Sequence, residues 1–134
     1  GFERERPELA ALALVPDALW LAAATTGAGA DIAALARQVR ALGQAGDLLL
    51  AITIAGNEPA MLEAVQAAHE RDMTVVALTG RDGGALATLL RETDVQICVP
   101  HDRPARVREV HALVLHCLCD GVDAQLLGEQ ENPI

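Results

Sequence analysis

The sequence predicts an α/β protein, a three-layer αβα sandwich around a doubly wound parallel sheet. Short apolar runs of strand length alternate with longer segments in which apolar residues recur at helical spacing. Most of these runs are rich in Leu, Val and Ile without polar alternation, which is typical of strands covered on both faces. Because crossovers between parallel strands are right-handed, helices are expected on both faces of the sheet.

Length and composition limit the function classes. A chain of 134 residues with 51% hydrophobic and 22% charged residues predicts one core-forming domain, here 1–131 with a tail at 132–134. The net charge of -9 and the near absence of aromatic residues argue against direct nucleic-acid binding and against anionic membranes. Three cysteines without a framework spacing, and no visible secretory leader, predict a cytoplasmic protein.

The first third of the chain carries signals for a strand and two helices. An apolar run at 9–15 predicts a strand, a helix is expected at 18–24, and the small-residue run 25–30 predicts a loop. Asp31 fits the N-cap of the next helix, and Gly43 fits its carboxyl-terminal stop. The apolar residues between them recur at helical spacing: Ile32, Leu35, Val39 and Leu42.

The middle of the chain predicts a strand, a helix and a second strand. Residues 48–52 form an apolar run that predicts a strand buried on both faces. Pro59 opens a helix that is expected to reach about Arg71, and 73–78 is a further buried strand. These elements form one strand–helix–strand unit of a parallel sheet.

The last part of the chain repeats this alternation. Residues 79–84 are read as a strand-to-helix turn whose glycines allow positive φ, although contact with a sugar is the alternative. A short helix at 85–90, a strand at 95–99 and a long helix at 104–127 follow. The ligand crevice of such a sheet lies beyond the carboxyl ends of its strands, where 53–58 and 79–84 both fall.

The loop at 53–58 is the candidate ligand-binding segment, with Thr53, Gly56, Asn57 and Glu58 as its candidate residues. A buried strand, a glycine-containing loop and a helix start form the arrangement that holds phosphate groups in many α/β proteins. Only Thr53 offers a hydroxyl, and Glu58 places a negative charge where an anion would lie. The sequence therefore predicts the scaffold of a phosphate-sugar site with weakened chemistry.

Several separate segments resemble the sugar-isomerase (SIS) domain family, in the right order and across nearly all of 2–131. The resemblance implies a doubly wound α/β sandwich that forms a homotetramer. Within the family, phosphoheptose isomerases convert sedoheptulose 7-phosphate to a heptose phosphate with bound zinc, in lipopolysaccharide heptose biosynthesis. A paralogue, the DnaA initiator-associating protein, promotes replication initiation without that catalysis. The matching segments are 2–7, 38–43, 46–52, 75–84 and 116–120.

The sequence departs from the family pattern in four places. The family's leading helices, first strand, first phosphate loop, zinc-binding His and catalytic Glu have no counterpart in these residues. The second phosphate loop of the family reads Ser-Thr-Ser-Gly-Asn-Ser, whereas 53–58 keeps one hydroxyl. Arg108 replaces a Gln that resembles a zinc ligand, and 25–30 replaces an Asn-Asp segment. Of the metal and acid/base positions, only His116 remains as in the isomerases.

These departures lead to two main functional hypotheses, beside a third in which the chain is a structural, oligomer-forming partner of an active paralogue. The first is a catalytically inactive, regulatory SIS module that binds proteins, possible partners being the replication initiator DnaA and copies of itself, with no cofactor. The alternative is a phosphoheptose isomerase completed by a leading segment, with a phosphosugar ligand, zinc as cofactor and His116 as a catalytic or metal-binding residue. Arg108 cannot coordinate zinc because guanidinium has no lone pair to give, although it could hold an anion.

Three features of the sequence allow more than one interpretation. His116 and Asp120 lie four residues apart on one helix face, which suits a metal pair or a half-buried His with a hydrogen-bonded neighbour. Leu126 and Leu127 are either core residues or a small partner-binding patch. The basic cluster at the start of the last helix could hold an anion, pair with carboxylates of a neighbouring subunit or be solvated: Arg103, Arg106 and Arg108.

Overall fold

The α/β prediction is confirmed by the computed structural model, which describes residues 5–14 and 30–128. The described strands form one parallel sheet in the order β1-β2-β3. Register pairs Leu50 with Val76 and Leu78 with Ile97. The elements in chain order are α1 (Ala30–Leu42), β1 (Leu48–Ile52), α2 (Pro59–Glu70), β2 (Thr74–Gly80), α3 (Gly84–Leu89), β3 (Val95–Val99) and α4 (Pro104–Leu127).

Most predicted bounds agree with these elements within two residues, and a few predictions differ. The α1 helix begins at Ala30, one residue before the predicted cap at Asp31. Residues 9–14 are irregular rather than a strand, because no neighbouring strand pairs with them among the described residues. The predicted helix at 18–24, almost all of the loop at 25–30 and the tail at 132–134 lie outside the described residues.

The main core lies between one face of the sheet and helices α1, α2 and α3. On β2, Val75 and Ala77 point into this core and are fully buried. Small alanines on α2 allow this helix to approach α1 and the sheet closely. The buried members on these helices are Ala36, Val39, Ala64, Val65, Ala67, Ala68 and Leu86.

The α4 helix covers the opposite face of the sheet, close to the carboxyl ends of the strands. A Cβ built on Gly80 would lie 2.8 Å from a methyl of Val107, so α4 packs on the side to which Gly80 and Leu78 point. The ring of His111 contacts the same strand, with Nε2 donating to the carbonyl oxygen of Thr79 at 2.7 Å. Helices therefore lie on both faces, as the doubly wound fold requires.

Burial of β1 on both faces was a wrong prediction. Ala51 packs into the main core, whereas Leu48 is 67% exposed and Ile52 is 43% exposed. The reason is that α4 packs mainly on β2 and β3, so much of the second face of β1 stays exposed among the described residues. An apolar run identifies a strand, but the elements that pack on it decide its burial.

The amino-terminal ends of β2 and β3 are joined by a buried carboxylate. Asp94 Oδ1 accepts a hydrogen bond from the amide of Val75 at 2.8 Å, and Oδ2 accepts one from the amide of Arg91 at 2.8 Å. The same Oδ2 lies 2.7 Å from Nε2 of His69, and both side chains are buried. Burial alone would raise the pKa of Asp94, but these hydrogen bonds and the His69 ring together lower it.

The α4 helix is long and apolar enough to cross a membrane by length and composition alone. This is weak evidence, because core helices of soluble proteins meet the same criterion. Here Asp123 near its carboxyl end is buried, and its Oδ1 accepts a hydrogen bond from Nε of Arg6 at 2.5 Å. That ion pair ties the segment 5–14 to α4.

Candidate functional site

A pocket of about 380 Å³ opens at the carboxyl ends of the strands, on the face covered by α4. One wall comes from the end of β1 and the loop 53–58, and the other comes from α4. This is the crevice in which doubly wound sheets bind ligands. The lining residues are Ile52, Thr53, Ile54, Glu58, Arg108, His111, Ala112 and Leu115.

Thr53 and Glu58, both predicted from sequence, meet in this pocket. The Thr53 hydroxyl donates to Oε2 of Glu58 at 2.5 Å and accepts from the amide of Gly56 at 3.0 Å. Glu58 occupies the N-cap position of α2 with extended backbone angles, yet its side chain does not cap the helix. The one donor proton of the loop's single hydroxyl is therefore already used by an intramolecular contact.

The loop backbone retains donors that no described residue uses. Within 5–14 and 30–128, no acceptor pairs with the amides of Ile54, Ala55, Asn57 or Glu58. These groups precede the α2 helix, whose amino-terminal end attracts negative charge through its dipole and free N–H groups. The loop can thus still hold an anion through its backbone, without serine hydroxyls.

Gly56 and Asn57, the other two predicted ligand residues, do not line the pocket and instead join neighbouring loops. Gly56 has φ of 74°, and a Cβ there would lie 2.0 Å from the carbonyl oxygen of Gly83. The side-chain oxygen of Asn57 accepts from the amide of Ala85 at 2.8 Å, at the start of α3. The amide of Leu86 donates to the carbonyl of Gly56 at 2.9 Å. These contacts hold the loop 53–58 against the loop after β2.

The segment 79–84 serves as a turn, which is the structural reading of its glycines. Thr79 and Gly80 belong to β2, and Gly83 adopts a left-handed conformation before α3 begins. None of the segment's residues lines the pocket. Its effect on the site is indirect, because it supports the loop 53–58 and supplies the carbonyl that fixes His111.

The α4 helix completes the pocket with four residues. The sequence analysis had not placed two of them, Arg108 and His111, beside the loop 53–58. Arg108 lies on its wall and forms no ion pair or hydrogen bond with any residue in 5–14 or 30–128. His111 is 3% exposed, and donation from Nε2 to Thr79 leaves Nδ1 as the acceptor nitrogen of the neutral ring. Helical spacing places four residues on one face of α4: Arg108, His111, Ala112 and Leu115. This spacing is the feature of the sequence that could have predicted that they share one wall.

His116, the predicted catalytic or metal residue, is exposed on α4 and does not line this pocket. In the described part of the chain, no three His, Cys, Asp or Glu side chains cluster as metal ligands would. Arg108 stands on the wall and offers no lone pair. The described residues by themselves therefore do not fit a zinc site.

Leu126 and Leu127 are 56% and 40% exposed near the end of α4, so they are not core residues of the described chain. The other exposed large apolar residues of α4 are Val110, Leu113, Leu118 and Val122. A role in partner binding stays a prediction.

The strand order, the crevice and its strand–loop–helix wall define a doubly wound α/β domain with a pocket at the carboxyl edge of its sheet. The chain belongs to the SIS domain family, whose model matches residues 1–80. It is 60% identical over 131 residues to the phosphoheptose isomerase of Methylibium petroleiphilum and 55% identical over 133 residues to that of Azoarcus sp.. These alignments cover 97% of this chain and 64% and 66% of the two relatives, so the chain spans about two thirds of their length.

Solved structures give the same result. The structure of phosphoheptose isomerase GmhA from Neisseria gonorrhoeae matches with a TM-score of 0.80 and 50% identity, covering 87% of this chain and 64% of that one. A phosphoheptose isomerase from Francisella tularensis matches with a TM-score of 0.73 and 40% identity, covering 80% and 58%.

These relatives overturn the hypothesis of an inactive regulatory module, and with it the expectation that the protein is not an enzyme. The hypothesis rested on lost hydroxyls and lost metal ligands. It gave too little weight to the backbone N–H groups of the loop 53–58 and to Arg108 on the pocket wall. Identity of 50 to 60% over most of the chain links it to proteins named for the isomerase activity.

Proposed function

We propose that the protein carrying this chain is a phosphoheptose isomerase, which interconverts sedoheptulose 7-phosphate and a heptose 7-phosphate in the cytoplasm. The observation that carries the proposal is the pocket at the carboxyl edge of the sheet, in a chain 60% identical to a phosphoheptose isomerase. A phosphorylated sugar needs donors for its anionic end beside a concave wall for its carbon chain, and the residues that line the pocket support both.

Each wall has a role in this proposal. The amide of Ile54 and the guanidinium of Arg108 hold the phosphoryl group, since charge-assisted hydrogen bonds are the strongest available there. The apolar walls formed by Ile52 and Leu115 exclude water from the sugar chain. Ketose-to-aldose isomerisation moves a proton between adjacent carbons, which requires a positioned acid or base.

A zinc ion, which the family resemblance implies, would polarise a sugar oxygen as a Lewis acid when bound. His116 is the one residue of this chain that the resemblance assigns to it. Within 5–14 and 30–128, no three His, Cys, Asp or Glu side chains lie together as a zinc-binding set.

Turnover of sedoheptulose 7-phosphate is the test. Purified protein, with and without added zinc, is expected to convert the ketose phosphate to an aldose phosphate, followed by an aldose-specific coupled assay. Heat-denatured protein and the unphosphorylated ketose are the controls, because an anion-dependent site should not turn over the latter. No conversion under either metal condition would refute the proposal.

We also propose that the protein assembles as a homo-oligomer, a tetramer by family resemblance. The many exposed large apolar residues of β1 and α4 support this, because extensive apolar surface is typical of a protein–protein interface. Light scattering coupled to gel filtration is expected to give four times the chain mass. A monomer mass at micromolar concentration would contradict the proposal, and substitution of Leu113 with glutamate is expected to shift the mass downward.

A further inference from the structure

The pocket contains a carboxylate on the same loop whose backbone would hold a phosphoryl group. Glu58 lies at the start of α2, at the positive end of the helix dipole, and lines the pocket. Its Oε2 accepts the only hydroxyl proton that the loop offers, from Thr53. The loop therefore has an intramolecular anion in the place where an external anion would bind.

We propose that Glu58 is an internal occupant of the phosphate seat, and that a phosphoryl ligand binds only by displacing this carboxylate from Thr53. The inference rests on the proposed function for the location of the phosphoryl group. It makes Glu58 the specificity-determining residue of the pocket, which disfavours free phosphate and favours ligands whose sugar makes further contacts.

Three observations indicate that a phosphoryl ligand can displace the Glu58 carboxylate and is not simply excluded by it. Glu58 is exposed at the pocket mouth, so its side chain can turn into solvent without opening the core. Thr53 is buried, and the Gly56 amide fixes its hydroxyl, so the donor stays in place when the carboxylate leaves. Arg108 has no partner among the described residues and can pair with the incoming dianion.

The negative charge of Glu58 determines how a substitution there is expected to change phosphate affinity. A phosphate dianion close to a carboxylate is repelled, and solvent at the pocket mouth reduces this repulsion without removing it. Removing the charge of Glu58 should therefore strengthen phosphate binding by about tenfold or more, equivalent to about 1.4 kcal/mol. Removing an acidic charge elsewhere on the same helix should not.

The test measures binding of inorganic phosphate by calorimetry at one pH and ionic strength. Glu58→Gln, which keeps the shape and loses the charge, is expected to bind at least about tenfold more tightly than the unchanged protein. Glu63→Gln, on the same helix and outside the pocket lining, is the matched control for net charge and should leave affinity unchanged. Adding Arg108→Gln to Glu58→Gln should abolish the gain.

A second variant guards against a folding artefact. Glu58→Ser places a favourable N-cap residue at the start of α2 and is expected to show the same gain. If either folded variant binds phosphate no more tightly than Glu63→Gln, the proposal is overturned. Turnover by the unchanged protein without any gain in the variants refutes the role of Glu58 alone, whereas a gain in phosphate binding without turnover refutes only the isomerase proposal.

Discussion

Replacement of Gly56 with alanine is expected to lower the free energy of unfolding by about 3 to 5 kcal/mol, and to remove phosphate binding with it. The added methyl would lie 2.0 Å from the carbonyl oxygen of Gly83, and backbone on both sides prevents relief by a side-chain rotation. The φ of 74° adds the strain of a left-handed alanine. Chemical denaturation followed by circular dichroism measures the change.

Two other glycines distinguish the cost of the steric contact at Gly56 from the cost of its left-handed backbone conformation. Gly46 has φ of 90° with nothing within 4 Å of an added Cβ, so its alanine variant should show the conformational strain alone, about 1 kcal/mol. Gly121 lies inside α4 in open space, and its alanine variant should gain about 0.5 to 1 kcal/mol from helix propensity. Equal losses at Gly56 and Gly46 would show that the contact between the two loops is not tight.

Replacement of Asp94 with asparagine is the second large effect, with an expected loss of about 2 to 4 kcal/mol at neutral pH. Its carboxylate accepts from the amides of Val75 and Arg91 and contacts the His69 ring, with 1% of the side chain exposed. The asparagine has one acceptor oxygen in place of two, so at least one buried donor loses its partner.

The pH dependence follows from the sign of the pKa shift. The pKa of Asp94 is lowered in the folded protein, so the carboxylate stabilises the fold above the ordinary pKa of about 3.9. That contribution is lost as the pH falls through the lower folded pKa. The stability difference between the unchanged protein and Asp94→Asn should therefore shrink below about pH 4.

Glu70 provides the control for this experiment. Its hydrogen bond and charge interaction with Arg40 also lower its pKa, but the pair is exposed and solvent weakens it. Glu70→Gln should leave stability nearly unchanged across the same pH range. If Asp94→Asn behaves like Glu70→Gln, the carboxylate does not hold the two strands together.

Local signals explain which elements could be predicted from the sequence. Pro104 at a helix start and the apolar run at Val95–Val99 depend on neighbouring residues only, and both predicted bounds match the structure. The run at 9–14 has the same apolar character, yet it remains irregular because a strand also needs a partner. The exposure of Leu48 likewise depends on where α4 crosses the sheet, which no local pattern encodes.

The same distinction applies to the site. Thr53 and Glu58 are close in sequence, so their meeting in one loop could be predicted. Arg108 and His111 reach that loop only because α4 packs over the end of β2, through Val107 and the Thr79 carbonyl. Backbone amides carry no residue signature, so reading lost side chains as lost function gave the wrong conclusion about catalysis.

A crystal structure of the protein with sedoheptulose 7-phosphate would show directly where the phosphoryl group binds. We expect the phosphoryl group within hydrogen-bond distance of the Ile54 amide and of Arg108, with the carboxylate of Glu58 turned away from Thr53. A sugar phosphate bound elsewhere, or one bound here while Thr53 and Glu58 remain hydrogen-bonded, would contradict it.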